Sequence, residues 1–196
     1  MQHRTFLLKT AAALAFAAAA FSGCSTTTSG TTASGKPESS ADRTEIDAGV
    51  EGTLGRLYTQ VNGSRELVAK ADGVLVFPRV LAAGLVVGGE YGKGALRSKG
   101  KHIGYYSLAS LSFGFQAGAQ SKAMVVLFMT KESLDKFRAS SGWNVGADAS
   151  VALVKIGANG QIDTTTATSP VQVIVLTNAG LMANLTLEGT KISPLP

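Results

Sequence analysis

Little in this chain can do covalent or metal chemistry. Among 196 residues it holds one cysteine, Cys24, and two histidines, His3 and His102. One cysteine forms no internal disulfide, and so small a stock of thiol and imidazole excludes a Cys/His metal cluster. Serine–histidine–acid catalysis would have to be built around His102, and no G-x-S-x-G accompanies it. Ser133 and Lys136 form an S-x-x-K, but the Ser-Asp-Asn and Lys-Thr-Gly that go with that nucleophile pattern are missing. Phosphate loops fail on spacing: Gly94, not Ser or Thr, follows Gly92-Lys93, and Val87 stands where the first loop glycine belongs. No G-x-G-x-x-G opens a helix, so nucleotide is not an expected partner. Glu90, Asp148 and Glu188 are candidates for glycoside cleavage, yet no pattern brings two of them within the required ~5–10 Å. These absences predict a protein that is not an enzyme and carries no cofactor and no metal.

A long apolar run is missing as well. The longest small, apolar stretch is "AAALAFAAAAF", Ala11–Phe21, preceded by Arg4 and Lys9. As a helix it would reach about 16 Å against a hydrocarbon core of roughly 30 Å. That is too short to span and the right length for the apolar region of a signal peptide. No twin arginine precedes it, which favours the general secretory route. "FSGC", Phe21–Cys24, then resembles the bacterial lipobox, in which an apolar residue and two small ones precede a cysteine that is lipidated and becomes the mature N-terminus. The resemblance implies a diacylglyceryl thioether and an acylated amino group on Cys24. Several chains anchor far more firmly than one, at ~0.8 kcal/mol per buried methylene. Ser25 follows where an aspartate would suggest retention at the inner membrane. By that resemblance the outer membrane, facing the periplasm, is the expected location, with surface exposure as the alternative.

Loss of residues 1–23 removes two of the 18 Lys and Arg and none of the 13 acids, so the net charge falls from +5 to +3. So mild a basicity argues against nucleic acid as a partner. Ser25 to Asp42 is Ser/Thr/Gly-rich without apolar periodicity and reads as a tether, roughly 23 Å root-mean-square. The predicted organisation is therefore a signal peptide at 1–23, a lipidated cysteine and tether at 24–41, and one domain at 42–196.

Ile46, Val50, Leu54, Leu57 and Val61 recur at helical spacing, predicting an amphipathic helix from Asp42 to about Val61 that packs on its own domain. Gly49, Gly52 and Gly55 weaken it, and Asn62-Gly63 stops it. Ser64 is the expected cap of a second short helix. "GVLVFP" predicts a strand ending at Pro78. Strand-like runs follow from Ala83 to Gln120, in "AMVVLFM", in "VGADASVALVKI", and from Gln161 to Ile192, with turns expected at Asn159-Gly160 and Thr177–Gly180. One helix interrupts, "TKESLDKFRAS", with Thr130 as cap and Leu134 and Phe137 facing inward. The predicted fold class is α+β, predominantly antiparallel β, a sandwich or partly closed barrel, with N-terminal helices and one inserted helix.

Glycine recurs at period two: Gly88, Gly92 and Gly94 around Glu90; Gly114 and Gly118 with Gln116 and Gln120; Gly142 and Gly146 with Asn144 and Asp148. One strand face is then glycine and polar groups, the other Tyr91, Phe113, Phe115, Trp143, Val145 and Val151. In the last strand Asn184, Thr186, Glu188 and Thr190 oppose Leu185 and Leu187. Such a face serves either tight, strongly curved packing or a shallow groove over bare backbone for an acyl chain or peptide. "KGALRSKGKH" places Lys93, Arg97, Lys99 and Lys101, with His102, at or near one hairpin tip. It is either a solvated turn or a contact for headgroup phosphates, each cation then contributing ~1 kcal/mol.

Four segments in order, "AKADGVLVFPRVLAAGLVVGGEYGKGAL", "GYYSLASLSFGFQAGAQSKAMVVLFMT", "SGWNVGADASVALV" and "GLMANLTLEGTKI", resemble the SYLF domain family, over about Ile46 to Ile192. The resemblance implies phospholipid contact and brings no catalytic residues. Eukaryotic members bind phosphoinositides and some associate with actin, neither of which is expected in a periplasm. The expected function is a non-enzymatic outer-membrane lipoprotein whose domain binds membrane phospholipid. The competing expectation is an interaction module for an envelope protein partner, merely anchored by its lipid.

Overall fold

The computed structural model describes residues 39–84, 87–113, 118–154, 162, 169–177, 180–181 and 189–196. The expected signal peptide, Cys24 and most of the expected tether lie outside them, as do Asn159-Gly160, Gly114, Gln116 and the run from Asn184 to Glu188.

Helix α1 spans Ser40–Gln60, two residues earlier than its apolar periodicity announces, because Ser39 and Asp42 form a capping box. It buries Ile46, Val50, Leu54 and Leu57, each worth ~1.5–3 kcal/mol when fully removed from water. Gly63, at φ 83, turns the chain into α2, Ser64–Lys70. Ser64 does not cap α2. It is buried, and its hydroxyl donates backwards to the carbonyls of Leu57 and Val61, satisfying the end of α1. Helix α3, Lys131–Ala139, begins as expected, with the Thr130 hydroxyl accepting from the Ser133 N–H and with Leu134 and Phe137 buried.

The strands are β1 Gly73–Gly84, β2 Val87–Ser98, β3 Lys101–Phe113, β4 Gly118–Phe128, β5 Trp143–Asn144, β6 Val151–Leu153, β7 Val171–Thr177, β8 Gly180–Leu181 and β9 Thr190–Pro194. They form one sheet in the order β5-β9-β3-β2-β1-β4-β7-β6, with β8 paired to β7. Every described pairing is antiparallel except β6 with β7. The result is a mostly antiparallel, curled half-barrel, the partly closed alternative anticipated from the strand count. Thr177 pairs with Gly180, and Asn178 and Ala179 of the expected turn lie outside the described residues.

The central part of the sheet is buried on both faces. Under α1 lie Val76, Ala95, Val125, Leu127, Ile174 and Leu176. On the other face Leu75, Phe77, Leu96, Leu108, Val126 and Val173 pack with α3 and Trp143. There the Phe137 ring centroid lies 4.7 Å from that of Phe128 and 5.6 Å from that of Trp143.

Two strand expectations are overturned. β1 does not stop at Pro78: it runs on to Gly84, in the middle of the sheet. Proline lacks the ladder N–H, and the chain accommodates it with a bulge, both neighbours shifting register between residues 76 and 80. The strand-like run that begins at Val145 is likewise not continuous. Trp143 and Asn144 pair just before it; the chain then turns, with Gly146 at φ 88 and the Asp148 carboxylate accepting from the Asn144 N–H at 2.5 Å, and pairing resumes at Val151.

Candidate functional site

The bulge at Pro78 sets the direction of every side chain after it on β1. Arg79 stands opposite Lys93 on β2, and Lys93 opposite Ser107 on β3. Two residues along, Leu81 is opposite Tyr91, Tyr91 opposite Ala109, and Ala109 opposite Lys191. One step further, Gly89 faces Leu111. Directly opposed residues share a face, so Arg79 and Lys93 lie beside Leu81 and Tyr91, and Lys191 ends the row that these two begin. Leu81 is 50% exposed, Tyr91 48% and Leu111 70%. Arg79 and Lys191 are exposed too. This strip lies beyond the first turns of α1, which covers the same face further along. Such clustering of large apolar groups with cations at the border suits a partner that is apolar at its centre and anionic at its rim.

Between the strip and α1 opens a cleft of about 540 Å³, lined by Asp42, Glu45, Ile46, Gly49, Pro78, Arg79, Leu81, Tyr91 and Lys93 among others. Asp42 and Lys93 make further contacts. Among the described residues Glu45 and Arg79 make no ion pair.

The four cations read from the sequence as one hairpin tip are divided by the structure. Lys99 and Lys101 are at the tip and exposed, Lys99 within and Lys101 just after a tight turn whose two residues, Lys99 (φ 49) and Gly100 (φ 75), are both left-handed. Arg97, on β2 next to the tip, is ion-paired. It pairs with Glu51 of α1 and approaches Asp47 at 4.0 Å. Asp47 also accepts from the Tyr105 hydroxyl at 2.8 Å and lies 3.9 Å from His102 Nδ1. This polar cluster fastens α1 to the β2–β3 hairpin. Lys93 sits well down the strand, about 20 Å from the tip at ~3.3 Å per residue, and belongs to the cleft. Sequence reasoning missed Arg79 and Leu81 because ending β1 at Pro78 hid the alternation that resumes after it, and it missed Leu111 of β3, whose exposure no local pattern signals.

At Gly92 and Gly94 the glycine face is packed, not bare. A Cβ on Gly92 would lie 2.8 Å from the Arg79 carbonyl, and one on Gly94 would collide with the Val76 carbonyl and the Phe77 ring. These glycines let β2 lie close against the bulge, which is the tight-packing alternative. Glu90, two residues before Gly92 and opposite Ala82, pairs with Lys122 at 2.7 Å, with the two side chains 11% and 8% exposed. Ser133 of the S-x-x-K donates its hydroxyl to Thr130 and Pro170 carbonyls. Burial raises the phenol pKa of Tyr106 above its ordinary range, and burial together with the Asp47 hydrogen bond does the same for Tyr105. No described helix is long and apolar enough to cross a membrane, and the described residues hold no cluster of three metal-ligating side chains.

Residues 109–195 match the family model Ysc84, described as "Las17-binding protein actin regulator". This is the SYLF family, so the resemblance carried by the quoted segments holds over that stretch. The cleft residues of β1 and β2 lie ahead of it. No curated protein matches the chain.

Proposed function

We propose that this chain, with its SYLF segment, is a non-enzymatic outer-membrane lipoprotein facing the periplasm, anchored by acyl groups on Cys24, whose domain binds the phospholipid surface beside that anchor. One observation carries the reading: Leu81, Tyr91 and Leu111 project from one face next to Arg79, Lys93 and Lys191. Apolar side chains enter the acyl boundary while cations meet phosphate, and each contributes in the way expected of an interfacial protein. The family match supports the reading to the extent that lipid contact is described for SYLF domains. Lys99 and Lys101, exposed at the hairpin tip, remain candidates for additional headgroup contact.

The test is flotation of a chain beginning at residue 25, which lacks the anchor, with anionic and neutral vesicles at low and high salt. Binding should favour anionic vesicles and fade with salt. Leu111→Ser and Arg79→Glu should each weaken it several-fold. A chain that stays unbound to every vesicle would leave the membrane as the mooring of Cys24 alone and assign the apolar strip to a protein partner.

A further inference from the structure

Resting on that reading, we infer that the cleft beside the bulge is a headgroup site for a zwitterionic phosphodiester, the chemistry of phosphoethanolamine. Its walls carry opposite charges. Arg79, displaced from the regular ladder by the bulge at Pro78, supplies a guanidinium suited to bidentate contact with a phosphate. Glu45, on the facing turn of α1, supplies a carboxylate suited to an ammonium group. Both are exposed and neither is ion-paired among the described residues. An anionic headgroup alone would use Arg79 and be repelled by Glu45; a dipolar one uses both.

Besides Asp42 and Lys93, which make contacts of their own, the rest of the lining is largely apolar. Ile46, Pro78, Leu81 and Tyr91 line it, and its volume of about 540 Å³ is in the range that accepts a headgroup with the start of its chains. The occupant is a lipid rather than a free zwitterion because the cleft opens at Leu81 and Tyr91, onto the apolar strip. A molecule whose polar end sits between Arg79 and Glu45 continues along a surface that already prefers hydrocarbon.

The full chain in non-ionic detergent, titrated with soluble probes and followed by amide chemical shifts, tests this. Glycerophosphoethanolamine should bind and shift residues 45, 79 and 91–93. Glycerophosphoglycerol and inorganic phosphate should bind at least fivefold more weakly. Glu45→Lys should abolish that preference while keeping phosphate binding, and Glu45→Gln should reduce it; Arg79→Gln should weaken all three probes. Equal affinity for the three probes, lost in Arg79→Gln, overturns the dipolar site but leaves anionic-surface binding standing. No shift with any probe, in a chain that still floats with anionic vesicles, also overturns it. If the probes fail and flotation fails, the membrane reading falls with it. A preference that survives Glu45→Lys, with shifts elsewhere in the domain, assigns the headgroup to another place and overturns this one.

Discussion

Gly49 of α1 rests on Pro78 of β1 so closely that an added Cβ would lie 2.8 Å from the proline Cβ and 2.9 Å from its Cγ. The helix glycine and the strand proline, each unfavourable in its own element, are thereby one feature. The bulge raises the proline towards the helix, and the missing Cβ receives it.

The three helix glycines should consequently behave in opposite ways. Gly49→Ala forces the proline contact apart and should destabilise the domain by about 1–3 kcal/mol. Gly52 and Gly55 are exposed with nothing within 4 Å of an added Cβ, so alanine at either should stabilise by about 0.5–1 kcal/mol. Urea midpoints of the three variants measure this directly.

Glu90 and Lys122 form a nearly buried pair. Lys122→Met alone leaves a carboxylate in the interior and should cost about 3 kcal/mol or more. Combining it with Glu90→Gln should recover most of the loss. A double-mutant cycle by denaturant unfolding gives the coupling; additive losses would mean that the two charges are solvated separately.

Arg97 and the tip lysines should separate by phenotype. Arg97→Ala removes the ion pairs between the β2–β3 hairpin and α1 and should lower stability by about 1 kcal/mol, less at high salt, because the cluster is partly exposed. Lys99→Glu with Lys101→Glu should leave the unfolding midpoint nearly unchanged and lower vesicle binding. Parallel melts and flotation assays distinguish the two roles.

Tyr106 should make the domain sensitive to alkali. Its pKa in the folded chain is raised above the ordinary 10.0 by burial, so the unfolded chain loses this proton first. The stability it contributes is complete below pH 10 and falls as pH rises through the folded-state value. Tyr106→Phe should flatten part of that loss in urea melts collected at increasing pH, and a phenolate absorbance titration should lose one late-titrating group.

Much of the architecture is legible in the sequence where local chemistry and tertiary packing agree. Thr130 caps α3 and Leu134 and Phe137 are buried as their spacing indicates. Ile46, Val50, Leu54, Leu57 and Val61 are all buried. The departures occur where a local rule yields to a long-range contact. Pro78 ends a strand by its own preferences, but a bulge between two paired neighbours carries the strand through. Ser64 has the composition of a cap, yet the end of α1 is closer to its hydroxyl than the start of α2. The candidate cleft was legible only in Lys93. Arg79 and Leu81 became visible once the bulge restored their alternation, and Arg97 left the group because Glu51, 46 residues earlier, claims it.

β9 comes last among the described strands but lies inside the sheet, between β3 and β5, where the Val145 N–H donates to the Thr190 carbonyl. A chain shortened by its final few residues would lose an interior strand, not a frayed edge. The β3–β9 pairing also joins residues about eighty positions apart, a separation that slows folding. Order of synthesis thus works against early folding: until Thr190–Pro194 has been made, that side of the sheet has no template for β5.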